Sequence, residues 1–145
     1  MSSPIVLDAS AAVRMALNQA SSNVVDAVSS ADVIASAPFF AFEVANALWK
    51  YVRAEHLNTD LAKAAVAETL SLVNDDPIGR LGISTSALAE EAFGEACRLG
   101  HPVYDLVYAV LARRLSAPLV TCDGRLASVA ETLGVEVIGC QKDES

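Results

Sequence analysis

The stretch "APLVTCDGRLASVAETLGVEVIG", residues 117–139, decides the fold. It opens on a short apolar run, "APLVT", passes through "DGRLASVAETLG", whose apolar residues recur at helical spacing, and closes on a second short run, "VEVIG". Strand, helix, strand is the unit of a parallel sheet, because the helix carries the chain back to the edge where the next strand starts.

Working outward, the same alternation recurs. "PIVLD" (4–8) reads as a strand and "SAAVRMALN" behind it as a helix, and "SSNVVDAVSSA" (21–31) as a short capped helix. "DVIAS" (32–36) is a second strand, and Pro38 stands where the helix over 39–55 begins. "NTDLAKAAVAETLSLVNDD" (58–76) is a long helix closed by Pro77 and Gly79, and "RLGIS" (80–84) a further strand. "STSALAEEAFGEACRLG" has Ser/Thr at its head and Gly100 at its tail, as helix caps require. "GHPVYDLVYAVLARR" (100–114) is an apolar helix whose lone early charge is Asp105. The expected architecture is α/β, a parallel sheet of about five short strands with helices on both faces. It forms one domain over residues 1–140, with 141–145 as a loose tail.

The 145 residues suffice for one real core, and 53% hydrophobic against 19% charged residues excludes a disordered chain. A formal net charge of −8 speaks against gripping nucleic acid by a general basic surface, so a phosphate ligand needs a local cation. Cys97, Cys122 and Cys140 are odd in number and lack Cys-x-x-Cys spacing, which suggests neither a disulfide framework nor a zinc site; Cys122 reads as a small buried side chain. No apolar run is long enough to span a membrane and the first residues show no basic segment followed by a long apolar stretch, so neither secretion nor membrane insertion is expected and the cytoplasm is the expected compartment.

In open α/β sheets ligands bind at the carboxyl ends of the strands. Asp8 follows "IVL", Asp123 follows "LVT" after one cysteine, Glu43 falls in the first turns of the third helix, and Asp105 in the first turn of the apolar one. Each aspartate could simply cap a helix, worth about 0.5–2 kcal/mol. Four acids on one rim nevertheless repel unless a cation joins them, and oxygen-only ligands favour Mg2+ or Mn2+. Glu43, Asn46, Lys50 and Arg53 share one helix face, which would align a ligand, an amide able to orient it, and two cations for a phosphodiester backbone. The bland alternative for that stripe is a solvated face. Ser10 and Thr121, each two residues from an aspartate, are candidates to bond to the site from behind, and His56 and His101 are expected at the surface.

The segments "IVLDASAAV", "FEVANAL", "HPVYDLVYAVLARRL" and "PLVTCDGRLASVAETLGVEVI" resemble, in order and over nearly the whole chain, the PIN-domain ribonucleases, most closely the VapC-like toxins of toxin–antitoxin pairs. The resemblance implies a three-layer, Rossmann-like α/β/α fold with Asp8, Glu43, Asp105 and Asp123 around Mg2+ or Mn2+. It also implies endonucleolytic hydrolysis of RNA by a metal-activated water, restraint by a cognate antitoxin, and a homodimer. Gly124 and Arg125 stand where some relatives carry a further acid. Two readings compete. A phosphoacceptor receiver domain normally wants paired acids after its first strand and a lysine after its last, whereas this chain has "IVLDAS" and "GCQ". A PIN-like module that binds without cutting would have little reason to keep all four acids. An antitoxin would be expected to place an Arg or Lys near those acids and apolar side chains over "FFAFEVANALWKYV" and "LAKAAVAETLSLV".

Overall fold

In a computed structural model of the protein, residues 3–73 and 81–140 are described. The chain runs β1 (Pro4–Leu7), α1 (Ala9–Ala16), α2 (Ser22–Ser30), β2 (Val33–Ala35), α3 (Phe40–Arg53), α4 (Thr59–Leu70), α5 (Thr85–Leu99), α6 (Val103–Leu115), β3 (Leu119–Thr121), α7 (Gly124–Thr132) and β4 (Val137–Gly139). All pairings are parallel, in the order β2-β1-β3-β4, with Val6 opposite Ala35 on one side and Leu119 on the other. The expected strand at 80–84 is not formed: Leu81 and Gly82 turn, and α5 starts at Thr85. Four strands therefore stand in the described sheet instead of about five. Arg80, the Pro77/Gly79 closure of the long helix and the tail at 141–145 lie outside the described residues.

Alternation along the strands divides the core into two layers. Ile5 and Leu7 point to the side covered by α1, α2, α3 and α4, where Val24, Val44, Leu48 and Ala65 meet them. Val6 points to the other side, against Leu88 of α5, Leu111 of α6 and Leu126 of α7. Helix α6 is the extreme case: every residue from Leu106 to Ala112 is buried. A helix apolar all round belongs in an interior, and this one is pressed between the sheet, α5 and α7. At its far end Arg113 and Arg114 bond Glu91 of α5 at 2.8 and 2.5 Å, which fixes the two helices against each other.

The helix ends follow the sequence closely. Asp8, Asn58, Ser84 and Asp123 each accept a backbone N–H from the first turn behind them. Gly100 ends α5 in the left-handed region, at φ 64°, a conformation that costs a residue with a Cβ about 1 kcal/mol. Gly94, inside the same helix, has neither a positive φ nor an atom within 4 Å of where a Cβ would sit. In urea denaturation we therefore expect Gly100→Ala to lower stability by about 1 kcal/mol and Gly94→Ala to raise it by up to about 1 kcal/mol. Equal shifts of the same sign would show that the α5 cap does not hold as described.

Candidate active site

Adjacent parallel strands leave the sheet side by side, so whatever follows β1 and β3 is brought together. Asp8 follows β1 directly, and its N–H donates to Val120 O at 3.1 Å. Its carboxylate is 3% exposed and is gripped from three directions. The Ser10 hydroxyl lies 2.8 Å from both oxygens, the Ala11 N–H donates to Oδ1 at 2.9 Å, and the Thr121 hydroxyl donates to Oδ2 at 2.5 Å. Thr121 Oγ1 in turn accepts the N–H of Asp123, and Ser10 Oγ the N–H of Cys122, both at 3.0 Å. Ser10 and Thr121 thus stand behind Asp8, as their spacing suggested. Burial is the main influence on the Asp8 carboxyl, pushing its pKa up to about 6 against the hydrogen bonds that favour the anion; Asp123 adds repulsion.

The other two acids come from the helices on either side. Glu43 lies in the first turn of α3, and Tyr108 of α6 donates to its Oε1 at 2.5 Å. Burial, first, and the charges of Asp105 and Asp123 raise the Glu43 pKa against that hydrogen bond. The Tyr108 hydroxyl is pushed far above its usual range by burial and by Glu43, so it stays a donor. Its ring is packed edge-on by Phe39. Asp105, one turn before Tyr108, is held at Oδ2 by His101 Nε2 at 2.8 Å.

All four acids thus occupy one neighbourhood, close enough for Asp123 to act on Asp8 and for both Asp105 and Asp123 to act on Glu43. Among the described residues no lysine or arginine pairs with any of them; the arginine ion pairs run to Glu91 and Glu95 instead. Hard oxygen donors with an unopposed negative field are the donor set that Mg2+ or Mn2+ prefers. As the side chains stand, no group of three among the described residues is gathered tightly enough to hold an ion.

Asn46, Lys50 and Arg53 lie exposed along α3 beyond Glu43, and the Arg53 guanidinium sits over the Trp49 ring, 4.7 Å from its centre. None of the three bonds to a site carboxylate among the described residues. The surface role expected of the histidines fits His56, which is exposed, and fails for His101, whose side chain is 15% exposed and bonded to Asp105. The i,i+4 spacing in "HPVYD" was the available signal. Tyr108 was hidden in an apolar run, although it stands one turn after Asp105. The reading of the cysteines is also corrected: Cys122 and Cys140 form a disulfide. They follow β3 and β4, which are neighbours in the sheet, and no sequence spacing announces that adjacency.

Residues 5–132 match the family model described as PIN domain. The chain is 32% identical over 124 residues to Ribonuclease VapC3 of Pyrobaculum aerophilum, covering 85% of this chain and 92% of that protein. It is likewise 32% identical over 123 residues to Ribonuclease VapC12 of Mycobacterium tuberculosis, covering 85% of this chain and 89% of the relative. The crystal structure of PAE2754 from Pyrobaculum aerophilum superposes with a TM-score of 0.67 at 23% identity, covering 93% of this chain and 83% of that one, which is a likeness of fold.

The buried Asp8 has a consequence for stability. The folded state keeps its proton up to about pH 6, whereas the ordinary carboxyl value is 3.8, so ionisation of Asp8 opposes folding. Its stabilising contribution is fully present below pH 3.8 and is lost as the pH rises through 6, a difference of up to about 3 kcal/mol. Asn at this position keeps an oxygen for the Ala11 N–H and carries no charge. In urea denaturation in EDTA, we expect Asp8→Asn to be more stable than the parent at pH 7 by about 1–3 kcal/mol and to flatten the profile between about pH 4 and 7. An unchanged profile would contradict the burial argument.

Proposed function

The chain belongs to the PIN-domain family, and on that premise we infer that it is a VapC-like endoribonuclease, the toxin of a toxin–antitoxin pair, acting in the cytoplasm on RNA phosphodiester bonds. The observation that carries this reading is the gathering of Asp8, Glu43, Asp105 and Asp123 with, among the described residues, no lysine or arginine paired to them. The receiver-like alternative has no comparable support. Asp8, Asp105 and Asp123 would hold the Mg2+ or Mn2+ ion. When bound, that ion lowers the pKa of water and offsets charge that builds on the scissile phosphate.

The chain's own groups do the positioning. Ser10, Thr121 and the Ala11 N–H fix both Asp8 oxygens, so this acid does not swing. His101 occupies Oδ2 of Asp105, which would leave Oδ1 for the ion. Tyr108 occupies Oε1 of Glu43 and leaves Oε2 to accept a proton from, or orient, the attacking water. A carboxylate whose pKa is raised by burial is better suited to that proton than an ordinary one. Lys50 and Arg53 on exposed α3 are placed to meet the RNA backbone, and stacking on Trp49 limits the freedom of Arg53.

A toxin of this kind is restrained by an antitoxin and acts as a homodimer. Phe42 and Trp49 of α3 and Leu61 of α4 are 79%, 53% and 57% exposed, which supports an apolar partner contact on these helices. An arginine or lysine from the antitoxin set among the four acids would compete with the ion.

Cleavage of single-stranded RNA by the purified domain should need added Mg2+ or Mn2+ and stop in EDTA. Asp105→Asn and Asp123→Asn should lower kcat/KM by about 100-fold or more while the circular-dichroism melt is retained. Tyr108→Phe, which frees Glu43 Oε1 without removing a ligand, should cost about tenfold, mainly in kcat. Undiminished cleavage by both asparagine variants in excess Mg2+ would sink the assigned roles.

A further inference from the structure

Beside the acids, on the side of α7, lies an open cavity of about 440 Å3. Its wall nearest the site is His101, which holds Asp105, and Gly124, the residue after Asp123. On α7, Arg125, Ser128, Val129 and Thr132 line the cavity. Their spacing of i, i+3, i+4 and i+7 puts them on one helix face.

The chemistry of that face is specific. Arg125 is exposed, and its backbone N–H is spent on Asp123 Oδ1 at 2.9 Å, but among the described residues its guanidinium enters no ion pair. Arg98, Arg113 and Arg114, by contrast, are all committed to glutamates. Ser128 offers an exposed hydroxyl, able to donate or accept. The Thr132 hydroxyl gives its proton to the Ser128 carbonyl at 3.1 Å, which leaves it an acceptor. Val129 supplies apolar surface between them. A volume of this size falls within the range of small-ligand sites, roughly 300–1,000 Å3.

We propose that this cavity is the subsite for one nucleotide of single-stranded RNA flanking the scissile phosphate, with Arg125 on the phosphate and Ser128 and Thr132 on the base edge. Single-stranded RNA can splay a base out of its stack, and a histidine ring is a surface on which such a base stacks. Continuity with the acids decides the occupant: a ligand here shares His101 with Asp105 and Gly124 with the Asp123 turn, so it is a neighbour of the reacting phosphate. The negative chain makes a free guanidinium at that point a local exception to the general repulsion of RNA. The proposal rests on the ribonuclease reading and goes beyond it by naming the subsite and the residues that would set base preference.

The test uses the full chain and fluorescein-labelled single-stranded RNA, with binding measured in Ca2+ and cleavage in Mg2+. Arg125→Gln should weaken binding about tenfold and reduce the slope of log K against log salt by about 0.7, the loss of one phosphate contact on a single strand. Ser128→Trp, an exposed position whose new ring fills the cavity, should weaken binding about as much without changing that slope, and should flatten the base preference at one position beside the cut. Arg14→Gln removes the same charge from the last turn of α1, outside the cavity, and should bind within about twofold of the parent. Circular-dichroism melts establish that each variant is folded. If the parent cleaves RNA and Ser128→Trp binds and cuts like it, the cavity is not occupied and the subsite is wrong, whatever Arg125→Gln does, while the ribonuclease reading stands. If the parent neither binds nor cleaves RNA, that reading fails and the subsite falls with it.

Discussion

Everything at the site depends on one buried carboxylate. Asp8 sits where β1 becomes α1, and Thr121, from the end of β3, reaches across to donate to it. The sheet pairing makes this possible: Leu7 stands opposite Val120, so the next residues along each strand meet at the same edge. Thr121 then accepts the Asp123 N–H, so the hydroxyl that fixes one acid also fixes the backbone of the other. Two strands and the starts of two helices are tied through one side chain. The burial that holds Asp8 still also opposes its charge, and that opposition is what a divalent cation would relieve.

Helix α6 supplies the second constraint. Because Leu106 to Ala112 are buried all round, the helix cannot rotate without unpacking both α5 and the sheet. Asp105 and Tyr108, one turn apart near its start, inherit that rigidity and carry it to the site, one as an acid and the other as the donor to Glu43. The bonds of Arg113 and Arg114 to Glu91 hold the opposite end. A site placed on such elements is more exact than one placed on loops.

The alternation of strands and helices and their caps were legible because each rests on local chemistry: "PIVLD" and "APLVT" are short apolar runs ended by a turn or helix start, the positions of the four acids at strand ends and in first helix turns could be read from the same pattern, and Ser84 and Gly100 bracket α5. "RLGIS" misled because two apolar residues beside a glycine satisfy a strand pattern as well as a turn, and only a neighbour to pair with decides. What stayed hidden needed tertiary adjacency. Tyr108 reads as one more apolar residue until α3 brings Glu43 to its hydroxyl. Cys122 and Cys140 look unrelated until the strand order sets β3 beside β4. His101 is the intermediate case, since its spacing to Asp105 was present in the chain and only the burial that makes the contact matter was not.

The charge distribution explains how a chain of net charge −8 can be built to handle a polyanion. Over distances beyond about 8–10 Å salt screens its repulsion of RNA, and what remains is set by groups at the contact. On one side of the acids α3 carries Lys50 and Arg53; on the other α7 carries Arg125. Between them lie carboxylates that repel phosphate, and that a divalent ion held by the same oxygens would turn into an attractive centre. On the ribonuclease reading, affinity for RNA and readiness for chemistry would then depend on the same carboxylates. On the same reading, the acids without the ion would repel the substrate, and with it the flanking cations would hold the strand beside them.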